Sequence, residues 1–180
     1  YYQSLIYNEA HKDKNFAKSL AKWFNDQGWN FYIENEDDYQ KVSRQTAYLL
    51  VNKILFYNAL QLKRPDKLPP LQIPDDIVQG GILKGVLQSY FDAVLKIDYE
   101  TVFTTDFIDI VAFPDSREVV NEIKELANVL KRYDFSTLGF DVIGRIFERL
   151  IPENERHNLG QYFTNPDVVD LILQLCVQNE

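Results

Sequence analysis

The chain has a single cysteine, Cys176, and no methionine. One thiol cannot close an internal disulfide, so the fold must rest on packing, and a reducing, cytoplasmic setting fits. Histidine occurs twice and glycine seven times in 180 residues. There is no G-x-G-x-x-G, no Walker loop, no C-x-x-C and no H-E-x-x-H, so the usual phosphate-cradling loops and zinc motifs are excluded. Positive charge is scarce as well: 19 Lys and Arg stand against 27 Asp and Glu, for a formal net charge of −8 and a pI near 4.8. Such a surface repels phosphate, and non-specific nucleic-acid affinity comes largely from Lys and Arg neutralising phosphates, so this segment is a poor main grip on DNA. A membrane-length apolar run is missing too. The longest, Ala47–Leu60, is broken by Asn52, Lys53 and Asn58 and reads as a buried helix, with no membrane as partner. No signal peptide is visible in the sequence, which opens Tyr1-Tyr2-Gln3 followed by mixed polar residues. The absent methionine and the abrupt C-terminus are together expected of an internal segment of a longer protein, N-terminal processing being the other route to a missing first methionine.

What is present is helical periodicity. With 46% hydrophobic residues the chain can build one core, or a core in two lobes. Phe16, Leu20, Trp23 and Phe24 recur at spacings of three and four, and Gly28 is a natural stop. Trp29–Ile33 is aromatic and β-branched but too short to read as a strand. Asp38–Lys63 is apolar around most of its circumference, which predicts a long central helix covered on several sides. Four prolines at 65, 69, 70 and 74 exclude regular structure and mark a linker. Asp75 or Asp76 is positioned to cap the following helix, which runs to about Lys96. Asp98–Phe113 has no clean period and is expected to be an ordered loop or short strands.

Asp115 and Glu118 stand at capping-box spacing before a helix whose apolar face carries Val119, Ile123, Leu126, Ala127 and Leu130. The expected fold class is mainly α, an irregular helical bundle: a lobe over 1–64, a proline-rich linker over 65–76 and a helical region over 77–180.

Most polar groups have an ordinary structural reading. Glu34, Glu36, Asp37 and Asp38 are expected to form a solvated turn that favours the next helix N-terminus, rather than a cation site. Asp106 and Asp109 lack a lysine in the arrangement nucleases use, so no nuclease is assigned. Trp23, Phe24, Trp29, Phe31 and Tyr32 are expected in the core rather than as a base-stacking platform. His157 reads as a loop histidine, and Arg145 and Arg149 as surface partners of acidic neighbours such as Asp141.

The exception is the C-terminal stretch. A helix is expected over Phe140–Ile151, stopped by Pro152. After a charged turn come Gly160-Gln161-Tyr162-Phe163-Thr164-Asn165-Pro166, and then an apolar helix with Asn165 as N-cap and proline at the favoured first position. The first N–H groups of such a helix have no intrahelical partner and suit a carboxylate or phosphate.

Asp141-Val142-Ile143-Gly144-Arg145-Ile146-Phe147-Glu148-Arg149-Leu150, the string through Thr164, and Val168-Val169-Asp170-Leu171-Ile172 together resemble the segment preceding the cofactor fold of adenine-N6 DNA methyltransferases of restriction-modification systems. The resemblance covers about forty residues of motif. Gln45–Leu60 and Ile97-Asp98-Tyr99 with Phe103 are similar, more loosely, to the upstream helical region of type I-like methylase subunits and fused nuclease-methylases. It implies an enzyme dependent on S-adenosylmethionine. Gln161, Tyr162, Phe163 and Thr164 would contact the methionine end of that cofactor: Thr164 would hold its carboxylate, and Tyr162 and Phe163 would wall the pocket. It also implies DNA as substrate, with a specificity subunit or fused nuclease as partner.

The chain departs from the family pattern at Asn165, where proline usually follows the threonine directly. The family's glycine-rich Asp/Asn-Pro motif and its Asn-Pro-Pro-Tyr are absent, so the resemblance implies no catalytic residue here and an inactive isolated segment. Removing 166–180 is expected to change its stability little, since the last helix would lack its cover. The rival reading is a stand-alone helical interaction module with no enzymatic activity.

Overall fold

The computed structural model describes residues 1–97, 103, 105–133 and 168. By its internal contacts the chain divides into two units, Tyr1–Thr137 and Leu138–Glu180. The chain is mainly α, an irregular helical bundle. Among the described residues there is no strand, and the elements are α1 (Tyr2–Lys12), α2 (Lys14–Asp26), α3 (Glu36–Lys63), α4 (Gly80–Leu95), α5 (Phe107–Ile110) and α6 (Arg117–Leu130).

A single residue separates α1 from α2. Asp13 ends α1 by donating its N–H to Glu9 O (2.8 Å) and opens α2 by accepting from Asn15 N (2.7 Å). Gly28 closes α2 at φ 76°, a left-handed conformation that glycine adopts without cost. Its N–H returns to Asn25 O (2.9 Å) and that of Trp29 to Phe24 O (2.9 Å), the paired bonds of a Schellman stop. The chain then runs through Trp29–Ile33 as an irregular segment to Asn35, whose side chain caps α3 by accepting from Asp37 N (3.2 Å).

Helix α3, at 28 residues, is the axis of the unit. Its first half and α1, α2 and α5 enclose one core of Ile6, Leu20, Trp23, Phe24, Tyr39 and Val42, closed by Ile108 and Val111. Its second half, with α4 and α6, encloses another built on Ile54, Tyr57, Leu60, Leu83, Leu87 and Val120. Full burial of each such side chain is worth about 1.5–3 kcal/mol, and this packing stabilises a helix that propensity alone would not hold.

Residues 64–79 are irregular, as the prolines require, but they do not hang free. Leu68, Leu71 and Ile77 are buried in the second core. Tyr57 donates to Pro69 O (2.7 Å), the Tyr90 hydroxyl bonds Gln72 N and O (both 3.1 Å), and Lys124 Nζ donates to Asp75 O (2.8 Å) and Ile77 O (2.6 Å). The segment is a strap laid along α3, α4 and α6. Prolines deny it a ladder; Leu68, Leu71 and Ile77 still give it an inner face.

Two caps fall differently from expectation. Neither Asp75 nor Asp76 caps α4; its first residue, Gly80, donates its N–H to Asp115 Oδ1 (3.1 Å). Asp115 is thereby spent on a helix 35 residues upstream, and α6 starts at Ser116 without a side-chain cap. A Cβ at Gly80 would lie 2.5 Å from Pro114 O and 2.8 Å from Phe113 O, so only glycine lets α4 approach the 113–115 turn this closely. The true capping box is Asp106 with Asp109, at the head of α5.

Candidate functional site

Gln161, Tyr162, Phe163 and Thr164 lie outside the described residues, as do the expected helix over 140–151, Arg145, Arg149 and His157. Of the last expected helix only Val168 is described; it is helical and exposed.

Within the described unit, polar chemistry collects where the two cores meet. Helix α3 carries Lys53, whose side chain is 1% exposed in a largely apolar stretch. Its ammonium bonds Asp109 Oδ1 at 2.6 Å, and the Asp109 side chain is 9% exposed. The other oxygen, Oδ2, accepts the Asp106 N–H at 2.9 Å, closing the capping box that orients the carboxylate. From α4, Lys84 Nζ donates to Val111 O at 2.8 Å. Burial lowers the Lys84 amine below its ordinary value, partly offset by the negative charge of Asp109.

The two lysines and Asp109 share a cleft of about 30 Å³ with Thr46, Gln88 and the apolar walls Leu49, Leu87, Phe91 and Ile108. That volume suits a water or two. It is an order of magnitude below the ~300 Å³ at which pockets begin to enclose a cofactor.

The sequence reading missed this arrangement because it sought a lysine local to Asp106 and Asp109. Lys53 reaches Asp109 across a separation of 56 residues. The one signal in the sequence is a lysine interrupting a largely apolar helix, together with the D-x-x-D capping spacing of Asp106 and Asp109. The pair does not revive a nuclease. Both carboxylates are engaged: Asp109 by Lys53 and Asp106 N, and Asp106 by the Trp23 indole (3.0 Å) and its neighbour Phe107 N (2.6 Å).

The acidic run is spent on the backbone. Glu36, Asp37 and Asp38 fill the first turn of α3, Asp38 accepts from Tyr32 N (2.9 Å), and Glu34 faces His11 at 3.9 Å. Among the described residues no three His, Cys, Asp or Glu side chains gather as metal ligands, and no helix is long and apolar enough to cross a membrane. Of the aromatic stripe, Trp23 and Phe24 are buried and Trp29 and Phe31 partly so. Tyr32 is the correction: at 63% exposed it lies outside the core, because the turn before Asn35 points it away. No protein-family description, curated protein or solved structure matches the chain.

Proposed function

We propose that this chain is the helical region, with the first cofactor-binding motif, of an adenine-N6 DNA methyltransferase of a restriction-modification system. The observation that carries the reading is the string Gly160-Gln161-Tyr162-Phe163-Thr164 placed between an Asp141–Leu150 helix motif and an apolar segment opened by Asn165-Pro166. The donor set suits the methionine end of S-adenosylmethionine. A threonine hydroxyl and unpaired amides at a helix start accept a carboxylate, and two aromatic faces accept an aliphatic chain. The cofactor would supply an activated methyl group for the N6 of an adenine turned out of the duplex. Residues of this chain bind and orient; the motifs that hold adenine belong further along such enzymes.

In this reading the helical unit is a scaffold. Its acidic surface gives the DNA grip to another part of the protein, to a specificity subunit or to a fused nuclease. The working setting is the cytoplasm.

The test is the coding sequence beyond Glu180. The reading expects an Asp/Asn-Pro-x-x-Gly-x-Gly motif within about thirty residues, and then Asn-Pro-Pro-Tyr or Asn-Pro-Pro-Phe. A stop codon directly after Glu180 with a start codon directly before Tyr1 would overturn it in favour of a non-enzymatic helical module.

A further inference from the structure

Among the described residues, the cleft at the junction of the two cores holds two ammonium groups and one carboxylate, and the carboxylate is already committed. Asp109 Oδ1 is taken by Lys53 and Oδ2 by the Asp106 amide. Among the described residues Lys84 therefore has a backbone carbonyl, Val111 O, as its hydrogen-bond acceptor and no carboxylate in direct contact. Neighbouring polar side chains do not supply one. Gln88 Nε2 turns to Asp92 (2.7 Å), and the Thr46 hydroxyl donates to Val42 O (2.9 Å).

An ammonium carries three N–H donors, so Lys84 keeps donors beyond the one given to Val111. Lys84 is half-buried, so its charge is only partly hydrated, and a cleft whose described residues carry two ammoniums, one carboxylate and apolar walls favours an anion. Burial lowers the Lys84 amine even with the negative charge of Asp109 nearby. Size restricts the choice. About 30 Å³ admits one small ion and excludes a nucleotide or a phosphate ester.

We propose that the cleft formed by Lys53, Lys84 and Asp109 binds one small monovalent anion, of chloride or formate size, with the lysine ammoniums as its cationic partners. The anion balances the second lysine and tightens α4 against α3, α5 and the irregular segment over 111–113. It brings the Lys84 amine back towards its ordinary value. The site is independent of the methyltransferase reading, and with a net charge of −8 on the chain, affinity comes from the local pair rather than from overall charge.

The experiment compares thermal unfolding of the protein in sodium chloride, sodium formate and sodium gluconate at equal ionic strength. The fitting anions are expected to raise the midpoint by about 2–4 °C over gluconate once well above their dissociation constant. Lys84→Met is expected to abolish that difference. Should the variant not fold, ³⁵Cl line broadening on the unaltered protein serves instead, with formate expected to displace chloride and sharpen the line. Equal midpoints in all three salts, an unchanged difference in Lys84→Met, or chloride broadening that formate leaves untouched would each overturn the proposal and leave water in the cleft.

Discussion

The two ends of α3 are buried by different chemistry. Around Tyr39 and Val42 the cover is aromatic. Trp23, Phe24, Trp29, Phe31 and Tyr39 form a continuous set of tilted and edge-on ring contacts with centroids 5.1–5.9 Å apart. Around Ile54 and Leu60 the cover is mostly aliphatic, drawn from α4, α6 and the 64–79 strap. Large rings let three short helices and a brief irregular segment close the first end, since each ring brings about 150–250 Å² of surface. Branched aliphatics bury less apiece, so the second end needs two longer helices and a strap. Between them sits the Lys53–Asp109 pair, where Leu49 packs towards the first core and Leu50 towards the second.

The largest expected effect comes from cutting that junction. Asp109→Ala strands a buried ammonium and unmakes a capping box, and is expected to cost about 3–5 kcal/mol in urea unfolding. The double variant Lys53→Met, Asp109→Leu is expected to regain most of it, because a matched apolar pair needs no charge compensation. If Asp109→Ala unfolds at the same urea midpoint as the parent, the pair is not buried as described.

Next come the two cores themselves. Phe24→Ala and Leu83→Ala are each expected to cost about 2–5 kcal/mol, the aromatic truncation more, and each to leave a single transition, since α3 is shared. Two separate transitions in either variant would show that the ends are independent folding units.

Two glycines on α4 sharpen the aliphatic side with opposite signs. Gly80→Ala drives a methyl into Pro114 O and Phe113 O and is expected to cost about 1–3 kcal/mol. Gly85→Ala meets nothing within 4 Å and is expected to stabilise by up to about 1 kcal/mol through helix propensity. The same sign for both in thermal unfolding would contradict the close approach at residue 80.

The smallest effect is at alkaline pH and touches one phenol at each end. Burial pushes Tyr39 and Tyr57 up to about 12, with nearby Tyr7, Glu34 and Asp38 adding to the first and Tyr90 to the second. A raised folded pKa means that the native state keeps its proton longer. The stability this contributes is complete below the unfolded value, about 10, and is lost as pH rises from there towards 12. The Lys84 amine, lowered by burial, acts in the opposite sense below its unfolded value. Melting temperature is expected to fall from pH 10 to 11.5, less steeply in Tyr57→Phe; an identical slope in that variant would count against Tyr57 as a contributor.

Periodicity made α2 and α3 legible, because spacings of three and four along Phe16–Phe24 and the nearly all-round apolar surface of 38–63 are local properties. Gly28 was legible for the same reason. What escaped was non-local. Asp115 looked like the cap of its own helix yet serves Gly80, and Lys53 looked like an interruption yet answers Asp109. The strap was read as a linker because proline reports what a segment cannot form, while Leu68 and Leu71 report where it lies. The candidate cofactor residues were legible only by resemblance, since a capped helix after two aromatics has an ordinary structural meaning as well.

The most direct test of the functional account is an equilibrium titration of the full-length protein with S-adenosylmethionine, repeated after Tyr162→Ala and Thr164→Ala are introduced together. The account predicts saturable binding that weakens at least about tenfold, roughly 1.4 kcal/mol, in the double variant. No binding by the full-length protein, or an affinity the double variant leaves unaltered, would contradict it.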